Sequence, residues 1–159
     1  MAAPRMILTV CTANICRSPM AAALLGHALA AEDEPLKSIR VGSAGVAARQ
    51  GDPPSENSVA ALRKAGLDIS AHRSQPLTPE LIRKADLILC MTEAHRAMIL
   101  LGSRPPTDRV FLFREFLPGK VDREIGDPFG GPLRLYEACR DEMVEAIPSL
   151  LDHLRRQIP

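Results

Sequence analysis

Apolar residues along this chain fall into two patterns. Short, near-continuous hydrophobic runs occupy residues 6–10, 38–41, 86–91 and 109–113. Such runs read as strands buried on both faces. Between them lie helical patterns at 19–31, 55–65, 78–85, 92–101 and 131–157. Local chemistry marks several helix ends. Ser55 stands as an N-cap and Gly66 as a stop, and Gly102 closes the fourth helix. Thr78-Pro79-Glu80 offers a cap followed by proline at the first helical position, where its missing N–H costs nothing. Pro148 predicts a bend in the last helix.

Strands that alternate with helices imply an α/β fold, a parallel sheet with helices on both faces. Ligands of such sheets bind beyond the carboxyl ends of the strands. Cys11 sits at the carboxyl end of the first. Residues 118–132 form a long Gly/Pro-rich irregular stretch, and loops of that length in compact domains are usually functional or disordered.

Composition narrows the function classes. A length of 159 residues with 46% apolar and 25% charged suits a single domain over residues 1–159. The net charge of +1 speaks against a nucleic-acid or membrane surface. No apolar run approaches the ~20 residues of a membrane span, and no signal-peptide pattern precedes the first strand. Four cysteines, at 11, 16, 90 and 139, show no paired CxxC spacing, so free thiols in a reducing cytoplasm are expected. His27, His95 and His153 are scattered without metal-ligand spacing and read as ordinary structural residues. Neither a metal nor a cofactor is implied, and a monomer is expected.

The chemistry concentrates in Val10-Cys11-Thr12-Ala13-Asn14-Ile15-Cys16-Arg17-Ser18-Pro19-Met20. A loop that enters a helix presents unpaired amides and the positive end of the helix dipole, which together bind anions. The same field, with Arg17 adjacent, favours the thiolate of Cys11, the nucleophilic form. Arg17 can hold two phosphate oxygens at once and stabilise the transferring phosphoryl group. Ser18 can donate to the thiolate, and Asn14 suits left-handed backbone. A second Cys-x5-Arg, Cys90 to Arg96, places Glu93 where an anion would sit and lacks a following Ser. It reads as a buried strand cysteine and a solvated helix arginine.

Cys11-Thr-Ala-Asn-Ile-Cys-Arg-Ser-Pro19 resembles the Cys-x-Gly-Asn-x-Cys-Arg-Ser-Pro signature of low-molecular-weight protein tyrosine phosphatases. The resemblance continues through Ser43-Ala44-Gly45, Ala71-His72, 85–91 and Asp127-Pro128-Phe129-Gly130-Gly131. It implies a flavodoxin-like four-stranded parallel sheet and a metal-free, two-step hydrolysis of a phosphorylated protein or peptide through a cysteinyl phosphate. It implies phosphate binding by Thr12, Ala13, Asn14, Ile15, Cys16, Arg17 and Ser18. It also implies a supporting hydrogen-bond network of Asn14, Ser18, Ser43 and His72.

The leaving group needs a proton, worth roughly 10²–10⁴ in rate. Two Asp-Pro pairs compete, at Asp52 and Asp127. The long loop favours Asp127 and the resemblance assigns it; Asp52 reads as a turn residue before the second helix. Phe129 and Arg49 are expected at the pocket rim. Ala13 replaces the family's loop glycine, at a cost of about 1 kcal/mol if that position needs positive φ. Cys16 is either a packing residue or a redox partner of Cys11. Tyr136 reads as core. Ile15 fits the phosphotyrosine pattern, whereas the Asp127–Gly131 segment resembles the phosphoarginine branch; phosphotyrosine is the favoured substrate. Arsenate reduction would need two cysteines close together downstream, and Cys90 and Cys139 are far apart. A non-catalytic phosphopeptide module would need neither Cys11 nor Asp127.

Overall fold

The computed structural model describes residues 4–157. Four strands, β1 (Met6–Cys11), β2 (Arg40–Gly45), β3 (Leu87–Cys90) and β4 (Val110–Leu112), form one sheet in the order β2-β1-β3-β4. Every pairing is parallel. The helices are α1 (Arg17–Ala30), α2 (Glu56–Lys64), α3 (Pro79–Lys84), α4 (Glu93–Gly102) and α5 (Leu133–Arg156).

Alternation along the strands creates two cores. Ile7, Leu87 and Leu89 face α1, α2 and α5 through Leu25, Leu62, Met143 and Leu150. Leu8, Val10, Ile88, Cys90 and Leu112 face α3 and α4 through Ile82 and Ile99. The sheet is therefore covered on both faces, which is why its strands carry so few polar residues.

Caps appear at Ser55 and Thr78, where the pattern placed them, and also at Thr92. Ser55, Thr78 and Thr92 each accept a hydrogen bond from the third residue onward, and Pro79 opens α3. Several boundaries differ from the sequence reading, among them those of β2 and α1 beside the first loop. β2 begins at Arg40 and runs to Gly45, while Leu36–Ser38 form a turn of 3-10 helix. α1 begins at Arg17 rather than at Pro19. Pro148 lies inside α5, which continues through it to Arg156. Among the described residues no helix is long and apolar enough to cross a membrane, and no group of three His, Cys, Asp or Glu side chains could hold a metal ion.

Candidate active site

β1 ends at Cys11 and α1 begins at Arg17, so residues 12–16 form a tight loop at the centre of the sheet's carboxyl edge. Five carbonyls of residues 11–16 are held from outside. Val46 N donates to Cys11 O at 3.0 Å, Ala47 N to Thr12 O at 2.9 Å and Ser55 N to Ile15 O at 2.9 Å. Ser58 Oγ donates to Cys16 O at 3.3 Å and His72 Nε2 to Asn14 O at 2.7 Å. No described group accepts from the amides of residues 12–16. The first turn of α1 has neither a side-chain cap nor an acidic residue. Free amides at a helix N-terminus, unopposed by a carboxylate, make an anion site.

Two backbone features build the loop. Asn14 adopts left-handed geometry at φ 59°, whereas Ala13 does not, so alanine there carries no left-handed strain. Gly45 lies under the loop, where a Cβ would stand 2.5 Å from Thr12 O and 2.9 Å from Asn14 N. Asn14 ties the parts together. Its Nδ2 donates to Ser18 Oγ at 2.7 Å and to Ser43 Oγ at 2.9 Å, and its Oδ1 accepts from Gln75 N at 3.0 Å. Burial holds His72 below the usual histidine range, opposed by its bond to the Asn14 carbonyl.

Cys11 lies at the floor of a cavity of about 290 Å³ that also reaches Thr12, Ala13, Ile15, Cys16, Arg17, Ala47, Arg49, Asp52, Asp127 and Phe129. Its Sγ is 3.0 Å from Ser18 Oγ. Arg17 is 3% exposed. Its Nη1 donates to Ile125 O at 2.8 Å, its Nη2 to Thr12 Oγ1 at 3.4 Å, and Nη2 lies 3.7 Å from Asp127 Oδ2. Nε of Arg17 is buried with no hydrogen-bond partner among the described residues. Asp127 is half exposed, and its Oδ1 accepts from Phe129 N at 3.1 Å. Phe129 and Arg49 are exposed at the mouth.

The long loop that carries Asp127 is held by two arginines. Arg123 donates to the carbonyls of Arg114, Glu115, Leu117 and Gly119. Buried Arg114 donates to the carbonyls of Asp122 and Glu142. Ile125 N then bonds Met91 O at 2.9 Å, which hangs the loop from the end of β3.

Two residues read as ordinary in the sequence lie at the site. Asp52 lines the cavity and pairs with Arg49 at 3.2 Å. His95 is buried against the loop, with Nε2 2.9 Å from Thr12 Oγ1. Burial, and then the Arg17 charge, push it down to about 4. Its signal was its place with Ile99 on one i, i+4 stripe of α4, a stripe that turns inward.

The other histidines lie apart: His27 is exposed and His153 stacks on Phe116 at 3.8 Å. The second Cys-x5-Arg carries no anion site. Cys90 is fully buried, which pushes its thiol up to about 12. Arg96 is less solvated than its helical position implied: it is half-buried and paired with Glu115 at 2.6 Å and Glu93 at 3.2 Å. Cys16 packs in the core 3.6 Å from Tyr136 Oη, and Cys139 is buried against Gly126 O.

The profile of the family described as low molecular weight phosphotyrosine protein phosphatase matches residues 6–159. A protein-arginine-phosphatase of Geobacillus stearothermophilus is 41% identical over 154 residues, spanning 97% of this chain and 99% of that one. A Ralstonia nicotianae protein named "Probable low molecular weight protein-tyrosine-phosphatase EpsP" is 36% identical over 152 residues, spanning 95% and 97%. The crystal structure of a low molecular weight protein tyrosine phosphatase from T. tengcongensis superposes with a TM-score of 0.84 at 34% identity, covering 93% of this chain and 98% of that one. With its sheet order, its amide loop around a cysteine and these matches along almost its whole length, the chain belongs to the low molecular weight phosphotyrosine protein phosphatase family.

Proposed function

We propose that this single phosphatase domain hydrolyses phosphotyrosine in proteins, with Cys11 as nucleophile, Arg17 as phosphoryl clamp and Asp127 as acid and base. The observation that carries the reading is the convergence of these three side chains on one cavity beneath the amides of residues 12–16. The phosphoryl oxygens take the loop amides and the guanidinium, including the unpartnered Nε. The Cys11 thiolate attacks phosphorus while the P–O bond to the phenol breaks. Asp127 gives its proton to the departing oxygen. The Asp127 carboxylate then takes a proton from water, whose oxygen displaces the sulfur and releases inorganic phosphate. Ser18 donates to the sulfur in both steps, first as nucleophile and then as leaving group. Ile15 and Phe129 offer an aromatic ring apolar flanks at the mouth.

A second reading, protein-arginine phosphatase, is favoured by one feature. Asp52 places a further carboxylate in the cavity with Asp127, which suits a cationic guanidino group. The relative from Geobacillus stearothermophilus bears that name. Comparing kcat/KM on phosphotyrosine and phosphoarginine peptides tests the choice, with phosphotyrosine expected to be preferred. Cys11→Ser is expected to abolish turnover of both; appreciable residual turnover overturns the nucleophile assignment.

A further inference from the structure

We propose that His95 is a positioning residue for Arg17, acting through the hydroxyl of Thr12. This rests on the reading of Arg17 as the phosphoryl clamp.

The guanidinium of Arg17 is held at two corners. Ile125 O fixes Nη1 at 2.8 Å, and Thr12 Oγ1 takes Nη2 at 3.4 Å. The first anchor is backbone and is itself tied to β3 through Ile125 N and Met91 O. The second is a side chain on an exposed residue. A solvent-facing threonine hydroxyl has alternative rotamers and water partners that would take it away from the arginine. What holds this one is His95, whose Nε2 lies 2.9 Å from Oγ1.

His95 is well built for that task. Its residue is 4% exposed, and its backbone N–H bonds Thr92 Oγ1 at 3.3 Å as part of the α4 cap. Its Nδ1 lies 3.1 Å from the same Oγ1. The ring is therefore fixed in orientation by the first turn of the helix that carries it. With the proton of the neutral ring on Nδ1, the bonds form a directed chain. Arg17 donates to Thr12, Thr12 donates its own proton to Nε2, and the Nδ1 proton goes to Thr92. Each hydroxyl accepts and each ring nitrogen has one role, as neutral imidazole requires. A pKa lowered to about 4 keeps the ring in that neutral form at neutral pH.

The guanidinium must be exact in place when the phosphoryl group becomes planar and its charge spreads over three oxygens. Slack in Thr12 then costs transition-state binding more than ground-state binding. His95 touches neither phosphate nor sulfur, and its effect passes through Thr12.

The test is a double-mutant cycle on p-nitrophenyl phosphate, with vanadate affinity as a transition-state readout and circular dichroism as a check of folding. His95→Ala is expected to lower kcat about tenfold to a hundredfold and vanadate affinity in parallel, with KM moving less than about threefold. In a Thr12→Val background the same change is expected to cost less than about twofold more. His95→Gln, whose amide oxygen reaches the Nε2 position, is expected to return kcat to within about threefold of the parent. A folded His95→Ala enzyme with parental kcat overturns the proposal. So does an equal loss in both Thr12 backgrounds. Should His95→Ala not fold, Thr12→Val alone decides, because parental kcat and vanadate affinity there leave the hydroxyl no role. Arg17→Lys separates the two levels. Full activity in that variant sinks the clamp reading itself, whereas its loss alongside an indifferent His95 sinks only the positioning role.

Discussion

Ser18 Oγ lies 3.0 Å from Cys11 Sγ, and the direction of that bond is set by a third residue. Asn14 Nδ2 can only donate, and it donates to Ser18 Oγ at 2.7 Å. The serine proton then has two acceptors, Ala44 O at 3.5 Å and the nearer sulfur, and a thiolate draws it to the sulfur. Bonds to charged groups are worth about 1.5–3 kcal/mol. Ser18→Ala is therefore expected to lower kcat about tenfold to a hundredfold with little change in KM. Alkylation of Cys11 by iodoacetate at neutral pH should slow as well. Parental alkylation and kcat together would show that the hydroxyl does not support the thiolate.

The two carboxylates of the cavity should separate by leaving group. Asp127 lies 3.7 Å from Arg17, whereas Asp52 is engaged by Arg49 at 3.2 Å. Asp127→Asn is expected to lower kcat by roughly 10²–10³ on phenyl phosphate and less on p-nitrophenyl phosphate, whose phenolate departs without help. One limb of the pH–rate profile should disappear with it. Asp52→Asn should cost under about tenfold and keep both limbs. The reverse pattern would move the acid to Asp52.

Much of this arrangement is legible in the residues. The apolar runs place Cys11 at a strand end, and Ser55 and Thr78 announce the helices that they cap. The course of β2 is not legible, because Gly42, Ser43 and Gly45 have poor strand propensity. Packing decides it: Gly45 must be bare where the loop lies on it. His95 escapes notice for another reason. Its partner Thr12 is 83 residues away, and no local pattern encodes that contact. Spacing also offers Cys90 and Arg96 as a match to Cys11 and Arg17. Residue chemistry rather than spacing tells the pairs apart: Glu93 lies within the second segment and pairs with Arg96 at 3.2 Å, and no serine follows.

Gly45→Ala tests the packing argument. Its methyl would meet backbone atoms of Thr12 and Asn14, which cannot swing aside as a flexible side chain can. Overpacking of this kind costs typically about 1–3 kcal/mol. A lower urea midpoint is expected, together with reduced kcat, because relief requires the loop to move. Unchanged stability and turnover would contradict the tight fit.

Acid should weaken the fold through its histidines. Burial holds both His95 and His72 below the ordinary 6.5, His95 at about 4. The unfolded chain then binds more protons, so stability is fully present above about pH 6.5 and declines as pH falls toward about 4. Urea midpoints measured across that window should fall more steeply for the parent than for His95→Gln, which cannot take up the proton. Equal slopes would mean that His95 does not contribute.

β1 occupies the middle of the sheet, and the segments that follow β2 and β4 both empty onto the rim around its end. The nucleophile is thereby mechanically separate from most of the rim. The sulfur and its amides are anchored in the sheet's midline, while the groups that greet a visiting side chain ride on peripheral spans. Those spans can be lengthened, shortened or recharged over evolutionary time without disturbing the midline. Changes confined to that fringe leave Cys11 and its amides in place while altering what the mouth receives.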